Sequence, residues 1–207
     1  MYLKLLHLTG FKAFADSTKL KFGPGITAIV GPNGSGKSNL VDAMLWVLGE
    51  RGHHALRIGE TADVIFSGSE RRRALGLAEV SLTVDNSDGI LPVDFAEVTV
   101  TRRAHRDGDS EYLLNKVPCR LRDIVELFLD TGVGAGTYSI IGQRDIDAVL
   151  SAKPEDRREL LEHAAGVQKY RFKRAEAKRK LDRAEVNLTR VRDLIYEIES
   201  QLAPLAE

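Results

Sequence analysis

Apolar side chains follow two different rhythms along the chain, and the change falls near residue 150. In the first part they alternate over short stretches. Leu3, Leu5 and then Leu8, Thr18–Phe22, Ile26–Val30, Glu79–Val84 with Val80, Leu82 and Val84 on one face, Glu97–Thr101 with Val98 and Val100, and Glu111–Leu114 read as strands. Gly10, the turn Gly23-Pro24-Gly25 and the hairpin turn Arg106-Asp107-Gly108-Asp109 separate them. Helical spacing appears over Leu40–Leu48 and again over about Leu121–Asp130, where Leu121, Ile124, Val125 and Phe128 share a face and Gly132 is the stop. The pattern predicts antiparallel strands around a parallel α/β element, with Ile26–Val30 as the strand that feeds the first helix.

Past residue 150 the period lengthens to seven. Leu181, Leu188, Ile195 and Leu202 form one row, and Ala177, Ala184, Val191, Ile198 and Leu205 a second, offset by three. These are the a and d positions of a heptad repeat. Gly166 is the one glycine after residue 150, and Pro154 and Pro204 stand near the two ends, where a helix tolerates or terminates at proline. A helix over Glu155–Ala203 would be about 70 Å long, too long to lie on a domain of this size. It reads as one strand of a coiled coil whose partner is another chain or a further part of the same one. The division predicts a lobe over residues 1–152 and a neck with the start of a coiled coil over 153–207.

Composition sharpens this division. The 207 residues carry 30 basic and 30 acidic side chains, so no net charge points to a polyanion and any nucleic-acid contact has to be local. Residues 1–150 hold 17 basic and 19 acidic groups and residues 151–207 hold 13 and 11, a denser charge that suits an exposed helix. Between Gln168 and Arg183 eight basic residues stand against two acidic ones, a surplus that fits a DNA-lining neck or a solvated helix face equally. Met1-Tyr2-Leu3-Lys4 opens no charged leader with an apolar run behind it, and no apolar stretch is long enough to span a bilayer. The single Cys119 excludes an internal disulfide and a cysteine zinc knuckle.

The strongest chemical signal is Gly31-Pro32-Asn33-Gly34-Ser35-Gly36-Lys37-Ser38, which fits G-x-x-x-x-G-K-[ST] between an apolar run and an apolar-periodic segment. Glycines at 31, 34 and 36 let the backbone wrap so that N–H groups point inward at phosphate oxygens, and the helix start adds about half a positive charge. Lys37 is placed to reach the β- and γ-phosphates, and Ser38 to give its hydroxyl to Mg²⁺. Guanine recognition by N-K-x-D finds only Asn115-Lys116-Val117-Pro118, without the aspartate. Hydrolysis calls for an apolar strand ending in Asp-Glu. Val80–Asp85 runs into Asn86 and Leu127–Asp130 into Thr131, so the chain holds a nucleotide cradle without a carboxylate in that context.

GFKAFAD (10–16), GPNGSGKSNLVDAMLWVLGE (31–50), ALRIGETADVIFSGS (55–69), AEVSLTVDN (78–86), NKVPCRLRDIVELFLDTGVGAGTYSIIGQ (115–143) and LSAKPEDRRELLEHAAGVQKYRFKRAEAKRKL (150–181) together resemble the N-terminal part of a bacterial SMC (structural maintenance of chromosomes) protein. The resemblance runs in order along essentially the whole chain. It implies a P-loop, ABC-type ATPase head lobe with an antiparallel β subdomain and a long coiled-coil helix, acting in chromosome condensation and segregation in the cytoplasm, on the nucleoid. In that family the C-terminal part of the same protein supplies the Asp-Glu strand, the signature motif and the returning helix. Two heads then sandwich two ATP molecules.

The resemblance assigns residues one by one. Gly31 to Ser38 with Asn39 bind ATP; Ser38 and Gln143, the Q-loop glutamine, hold Mg²⁺; Lys12 approaches the adenine or ribose. Arg57 is the R-loop arginine beside the nucleotide, which couples DNA to hydrolysis. Arg120 and Arg122 match basic positions on the surface facing double-stranded DNA, which need not be read for sequence. The implied partners are the C-terminal part, a second head, a kleisin subunit at the neck helix, roughly Arg171 to Ile198, and DNA, with no membrane. Two departures stand out: Arg144 follows Gln143 where glycine is commoner, and Glu60 stands where a basic residue is frequent. Two rivals remain, a scaffolding coiled-coil protein that binds nucleotide only for stability and a DNA-repair ABC ATPase of related design.

Overall fold

The computed structural model describes residues 1–53, 55–129, 131, 140 and 167–202. The chain divides into two compact units, Met1–Ala164 and Ala165–Glu207. In the first, β1 (Tyr2–Thr9), β2 (Thr18–Lys21), β3 (Leu77–Asp85), β4 (Glu97–His105), β5 (Ser110–Leu114) and β6 (Val117–Cys119) form one sheet in the order β2-β1-β3-β4-β5-β6. Every pairing is antiparallel. Helix α1 (Lys37–Val47) lies against β3 and β4. A short 3₁₀ turn covers Thr61–Val64, and α2 spans Leu121–Leu129.

Period-two alternation sets the core. Val80, Leu82 and Val84 of β3 and Val98, Val100 and Ala104 of β4 are buried, together with Leu40, Ala43, Trp46 and Val47 of α1 and Ile124, Leu127 and Phe128 of α2. The other face carries polar cross-strand pairs: Ser81 opposite Thr101 with hydroxyls 2.8 Å apart, and Thr83 opposite Thr99 at 2.9 Å. Beside them Arg103 meets Glu79 at 2.5 Å and Glu111 at 3.5 Å.

β4 continues beyond the expected Thr101, and the reason is one residue. Arg102 falls on the core-facing row between Val100 and Ala104 and is 4% exposed. Its guanidinium donates to the carbonyls of Trp46 at 2.8 Å and Glu50 at 3.0 Å, over the rings of Trp46 and Tyr112 at 4.5 and 5.1 Å. Burial pulls its pKa below the ordinary arginine value. An arginine thus replaces the apolar side chain the alternation calls for, and it closes the C-terminal end of α1. That end is a Schellman motif: Gly49 at φ 109° donates to Trp46 and Glu50 donates to Leu45, at 3.1 and 3.0 Å. A Cβ on Gly49 would stand 2.9 Å from Leu121 and 3.1 Å from Val125, so the same glycine lets α2 pack close.

Two further departures from the sequence reading concern strands. Val117–Cys119 pairs with β5 through a tight turn in which Asn115 and Lys116 have φ 48° and 70°, so the near-miss to a guanine motif is a hairpin. Ile26–Val30, expected as a strand, pairs with nothing among the described residues; Ile26 is 103% and Val30 88% exposed. A strand exists through its ladder bonds, and no described segment runs beside this one. The expected parallel α/β element is for that reason not formed among the described residues.

In the second unit α3 spans Gln168–Leu202. The helix start expected at Glu155 falls on residues outside those described. Leu181, Leu188, Val191, Ile195 and Ile198, the heptad rows, are all between 49% and 67% exposed.

The tightest glycine is Gly10, at φ 67° between β1 and the turn at Phe11. An added Cβ would lie 2.2 Å from the Leu77 carbonyl oxygen. Gly10→Ala is expected to lower the unfolding free energy by about 2–4 kcal/mol, from strain plus displacement of β3. Urea unfolding followed by circular dichroism measures the loss, and a change below 0.5 kcal/mol contradicts it.

Candidate functional site: the phosphate loop and its cationic neighbours

The segment Gly31–Ser38 turns into α1 at Gly36, which is left-handed at φ 89°. Gly34 is likewise at φ 81°, and the Ser35 amide donates to the Pro32 carbonyl at 3.3 Å. A Cβ on Gly31 would approach Ser35 Oγ to 3.0 Å, and one on Gly36 would approach the Phe14 ring to 3.3 Å, whereas Gly34 faces open space. The left-handed φ at Gly34 and Gly36 and the close approach of Phe14 to Gly36 favour glycine in this loop, which lies open at the helix start. Lys37 donates from its ammonium to the Gly31 and Pro32 carbonyls, each at 2.7 Å, which draws the loop around the helix start. The Asn39 amide donates to Gly36 at 2.9 Å and completes the first turn. No side chain caps α1 and no acid sits in its first turn. The N–H groups and positive pole there are left for an anion.

Lys12 and Arg57, far apart in sequence, arrive together beside this turn. The Phe11–Phe14 turn places Lys12, whose ammonium donates to Asp42 Oδ2 at 2.6 Å and to the Leu56 carbonyl. Arg57 donates through one nitrogen to Asp42 Oδ2 at 2.6 Å and to the Ser38 carbonyl at 2.9 Å. Asp42 is the buried centre: its side chain is 4% exposed, against 12% for Lys12 and 48% for Arg57. Sequence reasoning missed it. The available signal was a lone acid in the apolar helix Leu40–Leu48, four residues after Ser38 and hence on the same helix face.

The chain after Arg57 is fixed by Asp63, whose carboxylate accepts the amides of Gly59 and Glu60 at 2.8 and 2.7 Å. Those bonds hold the Asp63 carboxyl below the usual range. Glu60, the position read as a departure from a basic residue, caps the 3₁₀ turn. Arg120 immediately precedes α2, with its amide donating to Asp123 at 2.9 Å, and Arg122 lies in the first turn; both side chains are exposed. Gln143 lies outside the described residues. The donor set present, a lysine ammonium, a serine hydroxyl and free helix N–H groups, fits a polyphosphate with its divalent cation.

Comparison with known proteins places the chain. Chromosome partition protein Smc of Clostridium kluyveri is 57% identical over 205 residues and that of Bacillus subtilis 52% over 205, each covering 99% of this chain. The chain spans 17% of the length of these curated relatives. A solved Smc head domain from Pyrococcus furiosus, with an extended coiled coil and bound to the C-terminal domain of ScpA, is 37% identical, with TM-score 0.76 over 96% of this chain and 50% of that one. A structure from work on ATP-driven dimerization and DNA-stimulated activation of SMC ATPases is 36% identical, with TM-score 0.73 over 79% of this chain and 99% of that one. The RecF/RecN/SMC N terminal domain model matches residues 2–200. With a glycine cradle opening α1, an antiparallel sheet behind it and a long heptad-patterned helix, the chain belongs to the RecF/RecN/SMC N-terminal domain family and is an SMC-type head lobe with its emerging coiled-coil helix.

Proposed function

We propose that this chain is the ATP-binding half of an Smc head, part of a DNA-dependent ATPase that condenses and segregates chromosomes. The observation that carries the reading is the cradle Gly31–Ser38 at the uncapped start of α1, with Lys37 at its rim and Arg57 bonded to the backbone of Ser38. Amides of the loop and Lys37 hold the β- and γ-phosphates; Lys12 lies toward the nucleoside side; Ser38 and Gln143 hold Mg²⁺. The bound cation would neutralise phosphate charge as it develops. What the residues of this chain do is bind and orient, because they include no carboxylate in the context that activates water.

Two exposed apolar features support an incomplete head. Ile26 and Val30 lead directly into the cradle with no strand beside them among the described residues, and the heptad rows of α3 present Leu181, Leu188 and Ile195 to solvent. The C-terminal part of the same protein fits both needs, with a strand beside Ile26–Val30 and a returning helix for the seam. A second head then completes each ATP site, and binding energy of the γ-phosphate shifts the heads toward engagement. A kleisin packs on the neck helix, and a Smc head from Pyrococcus furiosus is bound to the C-terminal domain of ScpA. Arg120 and Arg122 neutralise phosphates of double-stranded DNA without reading bases. No described helix is long and apolar enough to cross a membrane; the proposed place of action is the nucleoid, in the cytoplasm.

Lys37→Ile is expected to abolish Mg-ATP binding in titration calorimetry with the circular dichroism spectrum unchanged; unchanged affinity removes the site. Arg120→Glu with Arg122→Glu in the assembled head is expected to weaken duplex binding equally for all sequences and to flatten its salt dependence, with basal hydrolysis retained. The same salt slope in the variant makes these arginines ordinary surface charge. Residues 1–207 alone are expected to hydrolyse no ATP. Phosphate release is expected only after mixing with the C-terminal part, with a specific activity that climbs as heads pair. Steady release by the purified chain alone, or a specific activity independent of concentration among monomeric heads, contradicts this.

A further inference from the structure

We infer that Asp42 is a positioning residue for Arg57, holding its guanidinium against the backbone of Ser38 so that it is poised at the nucleotide rather than in solvent. Asp42 lies one turn beyond Ser38 on α1, and the same Arg57 nitrogen reaches both the Asp42 carboxylate at 2.6 Å and the Ser38 carbonyl at 2.9 Å. The carboxylate is 4% exposed and fixed to a helix packed on the sheet, so it is a rigid anchor for a side chain that is itself 48% exposed.

Lys12 braces the anchor from the other side. Its ammonium joins Asp42 Oδ2, at 2.6 Å, to the carbonyl of Leu56, the residue immediately before Arg57. Lys12 is itself tied down by its amide, which donates to Val64 at 2.8 Å. The result is a closed triangle in which one carboxylate fixes both the tip and the base of the Arg57 arm. Lys12 and Arg57 are both left-handed, at φ 47° and 52°, a conformation their side chains disfavour and the surrounding bonds impose. The Asp42 carboxylate is shared by two cations, so Arg57 keeps part of its charge free for a polyphosphate beside Ser38.

This inference rests on the reading of Arg57 as the arginine that couples DNA to hydrolysis, and a double-mutant cycle in the full-length protein separates the two. Steady-state hydrolysis is measured with and without duplex DNA for the parent, Arg57→Ala, Asp42→Asn and the pair. Asp42→Asn is expected to lower the DNA-stimulated kcat roughly tenfold, to leave KM for Mg-ATP within about twofold, and to add nothing in the Arg57→Ala background. Parent-like stimulation in Asp42→Asn, or a further loss of similar size on top of Arg57→Ala, overturns the positioning role while leaving Arg57 in place. Full stimulation in Arg57→Ala overturns the reading of Arg57 and the role of Asp42 with it. If Asp42→Asn does not fold, Asp42→Glu, which keeps the charge but shifts it by a methylene, enters the same cycle with the same outcomes.

Discussion

A helix start binds phosphate well only if the helix cannot move, and α1 is fixed at both ends. At its C-terminus the Schellman turn at Gly49 and the buried Arg102 take up the carbonyls of Leu45, Trp46 and Glu50. At its N-terminus Asp42 ties the first two turns to Lys12 and Arg57. Between them Leu40, Ala43, Trp46 and Val47 are buried, with Trp46 tilted on Phe11 at 5.3 Å between ring centres. The start of α1 can then stay without a side-chain cap, because rigidity comes from elsewhere. Burying a guanidinium carries a large desolvation cost. Two carbonyls at a helix C-terminus and two aromatic faces offset it, and the outcome is a fixed link from β4 to α1.

The parts legible in the sequence were those where chemistry dictates residue type. Glycine best meets the left-handed φ at positions 34 and 36, lysine followed by serine or threonine suits the rim, and the heptad rows of α3 follow from helix geometry alone. What escaped were residues whose role depends on a distant partner. Asp42 reads as a stray acid until Lys12 and Arg57 are brought to it across 30 and 15 positions. Arg102 reads as the end of a strand until Trp46 and Tyr112 enclose it. The opposite case is Ile26–Val30, where the right apolar pattern for a strand lacks, among the described residues, the neighbour that would make it one.

That segment and the exposed seam of α3 have one physical cause. Both are surfaces patterned for burial, and both are left in water. Among the described residues, such a segment beside the loop leaves a backbone edge unpaired and apolar side chains exposed at the place where the lobe should be stiffest. Completing that edge would order the approach to Gly31 and the cradle together, so nucleotide affinity and lobe assembly should be thermodynamically linked.

Four described non-glycine residues adopt positive φ, and they divide by purpose. Asn115 and Lys116 make a hairpin turn in which the Asn115 side chain accepts the Thr99 amide at 2.7 Å, a local gain that offsets local strain. Lys12 and Arg57 sit in turns closed by backbone bonds, Phe14 to Phe11 at 2.8 Å and Ile58 to His53 at 2.9 Å, but their own side chains reach away from the turn to Asp42. Glycine would meet their backbone conformation at lower cost, as it does at Gly10, Gly36 and Gly49, but glycine carries no charge. Where the chain needs only the turn it uses glycine. Where it accepts strain to keep a cation, the cation is what the position is for, and both of these cations converge on a single buried carboxylate one turn from Ser38, the residue proposed to meet Mg²⁺.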